Sequence, residues 1–321
     1  MSVKSELLAV LTAQKGECIS GEKLGEQLHC TRAAIWKAVK ALREEGYTIL
    51  SGTNRGYILK ESSGVLSADG IRARLRHKDV PVTVYDVTAS TNRLAKQAGI
   101  AENAPDGTVI AARCQTEGNG RRGRKFYSPA GSGVYFTVLL RPGKNVQDSL
   151  LLTTAAAVAA MRGVEEICRV ALSVKWMNDL YLGEKKVGGI LTEAVTDFES
   201  GAIEFVVLGI GLNLHEPDGG FPGQLAQKAG AILPYGVEAD QNALVAAIIN
   251  ALHEEVGRTE ISPLYRARNI VPGRRVRVIA GQREYEMRAL EILPDGRLLL
   301  QDEDGREERL AFGDISLEVC F

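Results

Sequence analysis

The chain has 321 residues, of which 45% are hydrophobic and 25% charged, an ordinary globular composition at a length typical of two or three domains. A formal net charge of -1 excludes a uniformly basic nucleic-acid-binding protein, so any basic site must be local. Five scattered cysteines without a C-x-x-C pair and four unclustered histidines argue against a structural zinc site. The sequence shows neither a signal-peptide pattern nor an apolar run long enough to span a bilayer, so we expect a cytoplasmic protein without membrane contact.

The first sixty residues predict a winged helix-turn-helix. Apolar residues at helical spacing indicate helices over residues 3–13, 21–28 and 32–45, and two short strands around a glycine-containing turn follow them. Between residues 31 and 60 there are six lysines and arginines against two glutamates, which places a basic patch where DNA phosphates would meet the third helix and the wing. The DNA-binding candidates are Thr31, Arg32, Lys37, Lys40 and Arg55. A winged helix that binds protein is the alternative.

A polar linker over residues 61–70 predicts a first domain over residues 1–64 and a second over residues 65–271. In the second domain, strands are predicted at residues 82–87, 108–114, 133–141, 170–176, 179–182, 186–195 and 202–214. Helices are predicted at residues 91–98, 148–167 and 241–258. Short turns, one of them at residues 197–201, imply hairpins. We therefore predict an α+β fold with a mixed or mainly antiparallel sheet and its helices on one face.

Residues 272–321 form a third predicted domain. Five short strands separated by turns such as Pro294-Asp295-Gly296 recur at the spacing of a small antiparallel barrel.

Residues 115–129 combine three glycines with four cationic side chains directly after a predicted strand, a composition suited to holding an anion. Gly118-x-Gly120-x-x-Gly123 formally matches the dinucleotide-binding fingerprint. That fingerprint opens a helix, and the proline and glycines at residues 129–133 prevent one here, so we expect the match to be spurious. A flexible basic surface loop is the alternative.

Three other segments contain polar groups of the kinds that a small-ligand site needs. Ser90-Thr91-Asn92 opens a helix directly after a strand, and Ser90 also fits the helix N-cap. Residues 175–179 place a lysine, a tryptophan, an amide and a carboxylate in a strand connection. Residues 186–190 place a lysine before two glycines that more often mark a bulge.

These segments and the glycine-arginine loop resemble, in order and spacing, the catalytic domain of biotin-protein ligases. The leading winged helix resembles the bifunctional subclass that also represses biotin genes. The Gly-x-Gly-Arg-Arg-Gly-Arg-Lys motif at residues 118–125 is specific to that family, whereas Ser-Thr-Asn and Lys-Trp-x-Asn-Asp are shared more loosely with lipoate-protein ligases. The resemblance implies a class II synthetase-like central domain and an SH3-like C-terminal barrel.

The resemblance also implies roles for individual residues. Catalytic roles fall on Arg121, Lys186 and Asp179. Biotin contacts fall on Ser90, Thr91, Asn92, Gln115, Gly118, Arg121, Lys186, Gly189 and Gly209. Nucleotide contacts fall on Arg124, Phe126, Lys175, Asn178, Gly211 and Asn213. Two positions depart from the family pattern: Asn119 replaces a common arginine, and Met177 replaces a proline, which puts the rigidity of that turn in doubt.

The implied reaction joins biotin to AMP from ATP, with Mg²⁺ as activator and no tightly bound metal, and passes the acyl group to a lysine of a biotin carboxyl carrier protein. The implied partners are that carrier, operator DNA, and a second copy of the chain when the adenylate is bound. Two alternatives are a lipoate-protein ligase on the same fold and a ligand-sensing transcription factor without ligase chemistry. A ligase with a vestigial helix-turn-helix is a third.

Overall fold

The structure is a computed structural model that describes residues 2–14, 16–52, 56–60, 65–141, 149–196, 202–280, 283–311 and 316–319. Within these residues, no helix is both long enough and apolar enough to cross a membrane. The predicted wing-tip residue Arg55, most of the linker before residue 65 and the turn at residues 197–201 lie outside the described residues.

The N-terminal domain has the predicted winged helix-turn-helix elements. They are α1 (Val3–Ala13), α2 (Gly21–Gln27), α3 (Arg32–Glu44), β1 (Ile49–Gly52) and β2 (Gly56–Leu59). Ser2, Ser20 and Thr31 each cap a helix by accepting a hydrogen bond from the backbone N–H three residues later. Leucine, isoleucine and valine side chains of the three helices form a separate small core. The domain therefore has its own hydrophobic interior.

The central domain contains a seven-stranded sheet in the order β3-β4-β5-β9-β8-β7-β6. The strands are β3 (Val82–Thr88), β4 (Val109–Gln115), β5 (Gly133–Leu140), β6 (Ser173–Lys175), β7 (Asp179–Leu182), β8 (Lys185–Thr196) and β9 (Ile203–Asn213). The helices are α4 (Ala68–Arg74), α5 (Thr91–Ala101), α6 (Ser149–Cys168), α7 (Leu225–Lys228), α8 (Gln241–Glu255) and α9 (Pro263–Ala267). β3 and β4 are parallel and the other neighbouring pairs are antiparallel, which confirms the predicted mixed sheet.

The prediction that the helices share one face of the sheet is wrong. Side chains of α4, α6 and α8 pack in one core with Val206 and Leu208 of β9. Side chains of α5 pack in another core with Phe205 and Val207 of the same strand. Because successive strand residues project to opposite faces, α5 lies on the opposite face from the other three helices. Helix α5 therefore packs on the second face of the sheet, the face on which the candidate site lies.

The C-terminal segment folds as a five-stranded antiparallel sheet in the order β13-β12-β11-β10-β14. Its strands are β10 (Arg275–Ala280), β11 (Arg283–Ile292), β12 (Leu298–Gln301), β13 (Glu307–Leu310) and β14 (Ser316–Val319). The side chains of Val276, Val278 and Leu300 belong to the hydrophobic core of the central domain. The C-terminal sheet and the central domain therefore share one hydrophobic interior.

Candidate active site

A glycine-floored groove lies on the face of the sheet that α5 covers. On this face β9 presents Phe205 and Val207 to α5, and then Gly209 and Gly211. The two glycines are half-buried, whereas the intervening residues on the opposite face are fully buried in the main core. A Cβ atom at Gly211 would lie 2.6 Å from the ring of Phe126, closer than real contacts allow. The two glycines therefore let the Asn92 side chain and the Phe126 ring lie directly on the sheet, where any larger residue would clash with them.

The strand register places four of the predicted residues in one row across this groove. Lys175 pairs with Asp179, Asp179 with Gly189, Gly189 with Gly211, and Gly211 with Tyr135. Directly paired residues project to the same face of a sheet. A cation and a carboxylate from the Lys-Trp-x-Asn-Asp segment thus lie beside the two glycines of the floor.

A buried polar cluster closes the groove at the start of α5. The backbone N–H and the hydroxyl of Thr91 donate to Gln115 Oε1 at 2.9 and 3.1 Å. Asn92 Nδ2 donates to Glu193 Oε2 at 2.8 Å, and Thr137 Oγ1 donates to Asn92 Oδ1 at 2.6 Å. Ser90 occupies the N-cap position and is buried, but its side chain makes no capping hydrogen bond. The cluster fixes the donors and acceptors of Gln115 and Asn92.

The glycine-arginine loop folds back on itself next to this cluster. Gln115 Nε2 donates to Ser128 Oγ at 3.1 Å, and the Phe126 N–H donates to the Gly118 carbonyl at 2.8 Å. A Cβ atom at Gly118 would clash with the Phe126 carbonyl oxygen, so this close approach of two backbones requires glycine. A single 3-10 turn, Arg121–Gly123, follows instead of an α-helix, as predicted for a spurious dinucleotide match.

Two cations of the predicted set lie at the edge of the groove, one paired with Asp179 and the other hydrogen-bonded to the neighbouring Asn178. Lys186 Nζ forms an ion pair with Asp179 Oδ1 at 2.6 Å. Arg121 Nη1 donates to Asn178 Oδ1 at 3.2 Å. Burial lowers the pKa of Arg121 from its ordinary value of 12.5, and the charge of Asp179 opposes that shift. The guanidinium remains charged at neutral pH, so the groove edge offers two positive charges to an anion.

The ring of Phe126 lies on the glycine floor and meets Tyr135 edge to face, with ring centroids 6.3 Å apart. Asn213 is buried at the end of β9, where its Nδ2 donates to the Gly230 carbonyl at 3.1 Å. Burial raises the pKa of Tyr135 to about 12, so this phenol is neutral at physiological pH. An aromatic ring, a neutral phenol and an amide therefore line the apolar end of the groove.

The turn that contains Met177 is held from both sides. The Tyr265 hydroxyl, fully buried, donates to the Met177 carbonyl at 2.8 Å. Trp176 Nε1 donates to the carbonyl of Gly296, in the turn between β11 and β12 of the C-terminal sheet, at 2.8 Å. Asn178 Nδ2 donates to the Ile190 carbonyl at 2.9 Å. These three bonds fix the turn without the proline that the family pattern has there.

The structure brings together most of the predicted ligand-site residues, while Arg124 lies exposed on the loop. The predicted DNA-binding residues at the cap of α3, Thr31, and on the helix, Arg32, Lys37 and Lys40, are all exposed. The sequence analysis missed Thr137, Glu193, Tyr135 and Tyr265, which orient the predicted side chains or line the groove. A threonine or tyrosine inside an apolar strand or helix is usually a core residue, and only the tertiary contacts identify these four.

Three protein-family models match separate parts of the chain. Residues 84–213 match the biotin/lipoate A/B protein ligase family, residues 3–58 match an HTH domain, and residues 272–318 match the biotin protein ligase C-terminal domain.

The bifunctional ligase/repressor BirA of Bacillus subtilis is 31% identical to the chain over 313 residues, which is 95% of each protein. The chain belongs to the bifunctional biotin-protein ligase/repressor family. The Escherichia coli bifunctional ligase/repressor BirA is 30% identical and covers 98% of this chain and 97% of its own length. A crystal structure of the Aquifex aeolicus biotin protein ligase in complex with biotin and ATP has the same fold, with a TM-score of 0.64 at 24% identity over 75% of this chain and 99% of that chain. As a member of this family the chain is a biotin-protein ligase, and it also contains the helix-turn-helix domain of a repressor.

Proposed function

We propose that the chain joins biotin to the α-phosphate of ATP and then transfers the biotinyl group to a lysine of a biotin carboxyl carrier protein. The row that runs from Lys175 and Asp179 to Gly189 and Gly211 supports this proposal most directly. It sets Lys175, and Lys186 through its ion pair with Asp179, beside two glycines of the sheet, which suits two anions that must approach each other. A related protein points to the same substrates, since a solved structure of the Aquifex aeolicus biotin protein ligase is a complex with biotin and ATP.

In the first step, a biotin carboxylate oxygen attacks the α-phosphorus, a new P–O bond forms, and pyrophosphate leaves. Two anions repel each other, so the barrier falls when fixed cations neutralise them. Lys186 and Arg121 are the cations that we assign to this role, with Lys175 as a further positive group beside the phosphates. The step needs no protein nucleophile.

We place the rest of biotin and the nucleotide along the groove. The polar cluster of Ser90, Thr91, Asn92 and Gln115 would hydrogen-bond the biotin ring, with Gly118, Gly189 and Gly209 against it. The nucleotide contacts would come from Arg124, Phe126, Asn178, Gly211 and Asn213. Phe126 lies on Gly211, so an incoming ligand must share the floor with this ring or displace it.

Magnesium fits the site as a companion of ATP. Among the described residues, no group of three or more His, Cys, Asp or Glu side chains could cage a metal ion. Mg²⁺ typically binds nucleotide complexes through one or two carboxylates, substrate phosphates and water. Asp179 offers one such carboxylate beside Lys186. The ion would neutralise part of the phosphate charge, which lowers the repulsion that Arg121 and Lys186 also reduce.

In the second step, the acceptor lysine amine attacks the carbonyl carbon of biotinyl-5'-AMP. The C–N bond forms, the bond to AMP breaks, and the amine loses a proton. Asp179 is also suited to contact the incoming ammonium group, because it lies at the groove edge and already pairs with a cation. We assign the carrier protein as the acceptor from the family membership.

The helix-turn-helix supports a second activity, repression of biotin genes by operator binding. We propose that bound biotinyl-5'-AMP orders the glycine-arginine loop and promotes a homodimer whose two helix-turn-helix domains match a two-fold operator. The proposed domain limits are residues 1–64, 65–271 and 272–321. Because ATP, carrier protein and DNA are all cytoplasmic, we place the protein in the cytoplasm.

Incubation of the purified chain with biotin, α-labelled ATP and Mg²⁺ tests the ligase proposal. We expect labelled biotinyl-5'-AMP together with unlabelled pyrophosphate. When a biotin carboxyl carrier protein is added, the labelled adenylate should disappear as the carrier becomes biotinylated. The control replaces biotin by lipoate at the same concentration. Adenylate formation with lipoate but not with biotin would overturn the assignment, and no adenylate with either acid would leave only a ligand sensor.

A further inference from the structure

Helix α3 has an exposed tryptophan at the centre of a cationic stripe. Its buried face consists of Ile35, Ala38, Val39 and Leu42, which close the core of the N-terminal domain. Trp36 lies on the other side of the helix and is 56% exposed. The domain core is complete without this ring, so its position is not explained by packing.

The helical repeat aligns Trp36 with the cations. Residues four apart on an α-helix lie one above the other, so Arg32, Trp36 and Lys40 form one stripe, with Lys37 beside it. Lys40 Nζ lies 5.9 Å from the centre of the Trp36 ring, within the range of a cation–π contact. The stripe faces away from the buried side of the helix.

The charges around Trp36 favour a polyanion as the occupant of this surface. Arg32 pairs with Glu22 at 3.0 Å and Lys40 with Glu44 at 3.9 Å, and the side chains of both pairs are more than 60% exposed. Such exposed pairs contribute little, so phosphate groups can take the place of the two carboxylates. An apolar ring between cations on the second helix of a helix-turn-helix fits a DNA groove, where that helix meets base edges.

We propose that Trp36 reads the operator by packing its ring against a thymine methyl group in the major groove. Arg32, Lys37 and Lys40 then position the helix through phosphates, which give affinity without sequence information. Thymine alone presents a methyl group in the major groove, so an apolar side chain there distinguishes it from the other bases. This inference rests on the proposed repressor function and adds to it the residue that selects sequence.

The binding test uses labelled duplexes from the region upstream of the regulated biotin genes and unrelated duplexes of equal length, with biotin, ATP and Mg²⁺ present. Trp36→Ala should weaken binding to the upstream duplex at least about fivefold and leave binding to the unrelated duplex and its salt dependence unchanged. Lys40→Ala is the matched variant one turn along the same stripe. It should weaken binding to both duplexes and reduce the salt slope by about one.

Replacing thymines by uracil in the upstream duplex removes only the methyl groups. The wild-type chain should lose affinity when one of the contacted thymines is replaced, and Trp36→Ala should show no further loss at that position. Equal losses for both chains, or none for the wild type at any thymine, would overturn the role of Trp36 while leaving operator binding intact. If the wild-type chain does not distinguish the upstream duplex from the unrelated one, both the repressor function and the role of Trp36 are wrong.

Fluorescence provides a check that does not depend on a variant. The chain has two tryptophans, and Trp176 is only 6% exposed, so acrylamide quenching reports mainly on Trp36. Addition of the upstream duplex should reduce quenching. Unchanged quenching under conditions of full binding contradicts the proposal. Trp36→Ala should retain wild-type adenylate formation, which shows that the variant is folded.

Discussion

Lys186 and Lys185 show how the function of a residue depends on the face of the strand to which its side chain projects. The two lysines are neighbours at the start of β8, so their side chains project to opposite sides. Lys186 pairs with Asp179 at the groove, whereas Lys185 Nζ donates to the Gln227 carbonyl at 2.5 Å beside α7. Chain neighbours of identical chemistry thus lie in two places, one at the proposed ligand site and the other at the surface.

We expect Lys186→Ala to slow adenylate formation by about 30-fold or more, because the transition state loses a cation worth roughly 2 kcal/mol or more. Lys185→Ala is the control and should retain the wild-type rate. Pyrophosphate release measured in single-turnover experiments with biotin and ATP separates this chemical step from product release. Equal rates for Lys186→Ala and the wild type would remove Lys186 from the mechanism.

At the scale of elements, the turn between β6 and β7 depends on groups that are distant in sequence. Tyr265 of α9 and Gly296 of the C-terminal sheet hold the turn through Met177 and Trp176. Burial raises the pKa of Tyr265, so its hydroxyl stays protonated at neutral pH and can donate to the Met177 carbonyl. The C-terminal sheet therefore helps to position Asn178 and Asp179 without contributing a side chain to the groove.

Tyr265→Phe should destabilise the fold by about 1–3 kcal/mol, because the buried Met177 carbonyl loses its donor. We also expect a lower kcat for adenylate formation with a smaller change in the KM for biotin, since the altered turn contains Asn178 and Asp179. The control is Tyr285→Phe, which removes a half-buried hydroxyl that donates to Glu308 at 3.0 Å, away from the groove. Urea unfolding and steady-state kinetics measure both effects. A variant with unchanged kcat limits Tyr265 to a structural role.

At the scale of the whole molecule, α4 connects the DNA-binding domain to the ligase domain. Two residues of α1 contact Asp69 of α4. The Ser5 hydroxyl donates a hydrogen bond to its carboxylate at 2.8 Å, and Lys4 forms an ion pair with it. At the start of α4, the Ser67 hydroxyl shares a 2.5 Å hydrogen bond with Tyr47, and the Ser67 N–H donates to the Asn242 side chain on α8 at 2.9 Å. Both domains therefore contact the same short helix, which gives a direct physical route for coupling between them.

The contacts of Asp69 predict an acid-sensitive junction. Burial raises the pKa of this carboxyl, but hydrogen bonds from Ser5 and Lys4 and the charges of Lys4 and Arg72 outweigh it and lower the pKa below its ordinary value of 3.8. A lowered carboxyl pKa adds stability that is complete above the unfolded-state value and is lost as pH falls through the folded-state value. The free energy of unfolding should thus decline more steeply below about pH 4 in the wild type than in Asp69→Asn. If the free energy of unfolding, measured with urea, falls equally with pH in both proteins, Asp69 is not the source of the acid sensitivity.

Much of the fold follows from local sequence patterns. The helical spacing of apolar residues in the first 45 positions and turns such as Pro294-Asp295-Gly296 in the C-terminal sheet predicted elements that the structure contains. The placement of α5 could not be predicted, because the side of the sheet on which a crossover helix lies depends on packing between distant segments. The row from Lys175 to Tyr135 could not be predicted either, because it depends on how five strands pair with one another.

Ligand chemistry in the groove is proposed to control DNA binding, and fluorescence anisotropy of a labelled upstream duplex measures that control. Titrations with the wild-type chain are compared without ligand and with biotin, ATP and Mg²⁺ together, at constant salt. We expect tighter binding when the adenylate can form, and a gain that develops more slowly after substrate addition for Lys186→Ala than for the wild type. Identical affinity of the wild-type chain with and without the substrates would contradict it.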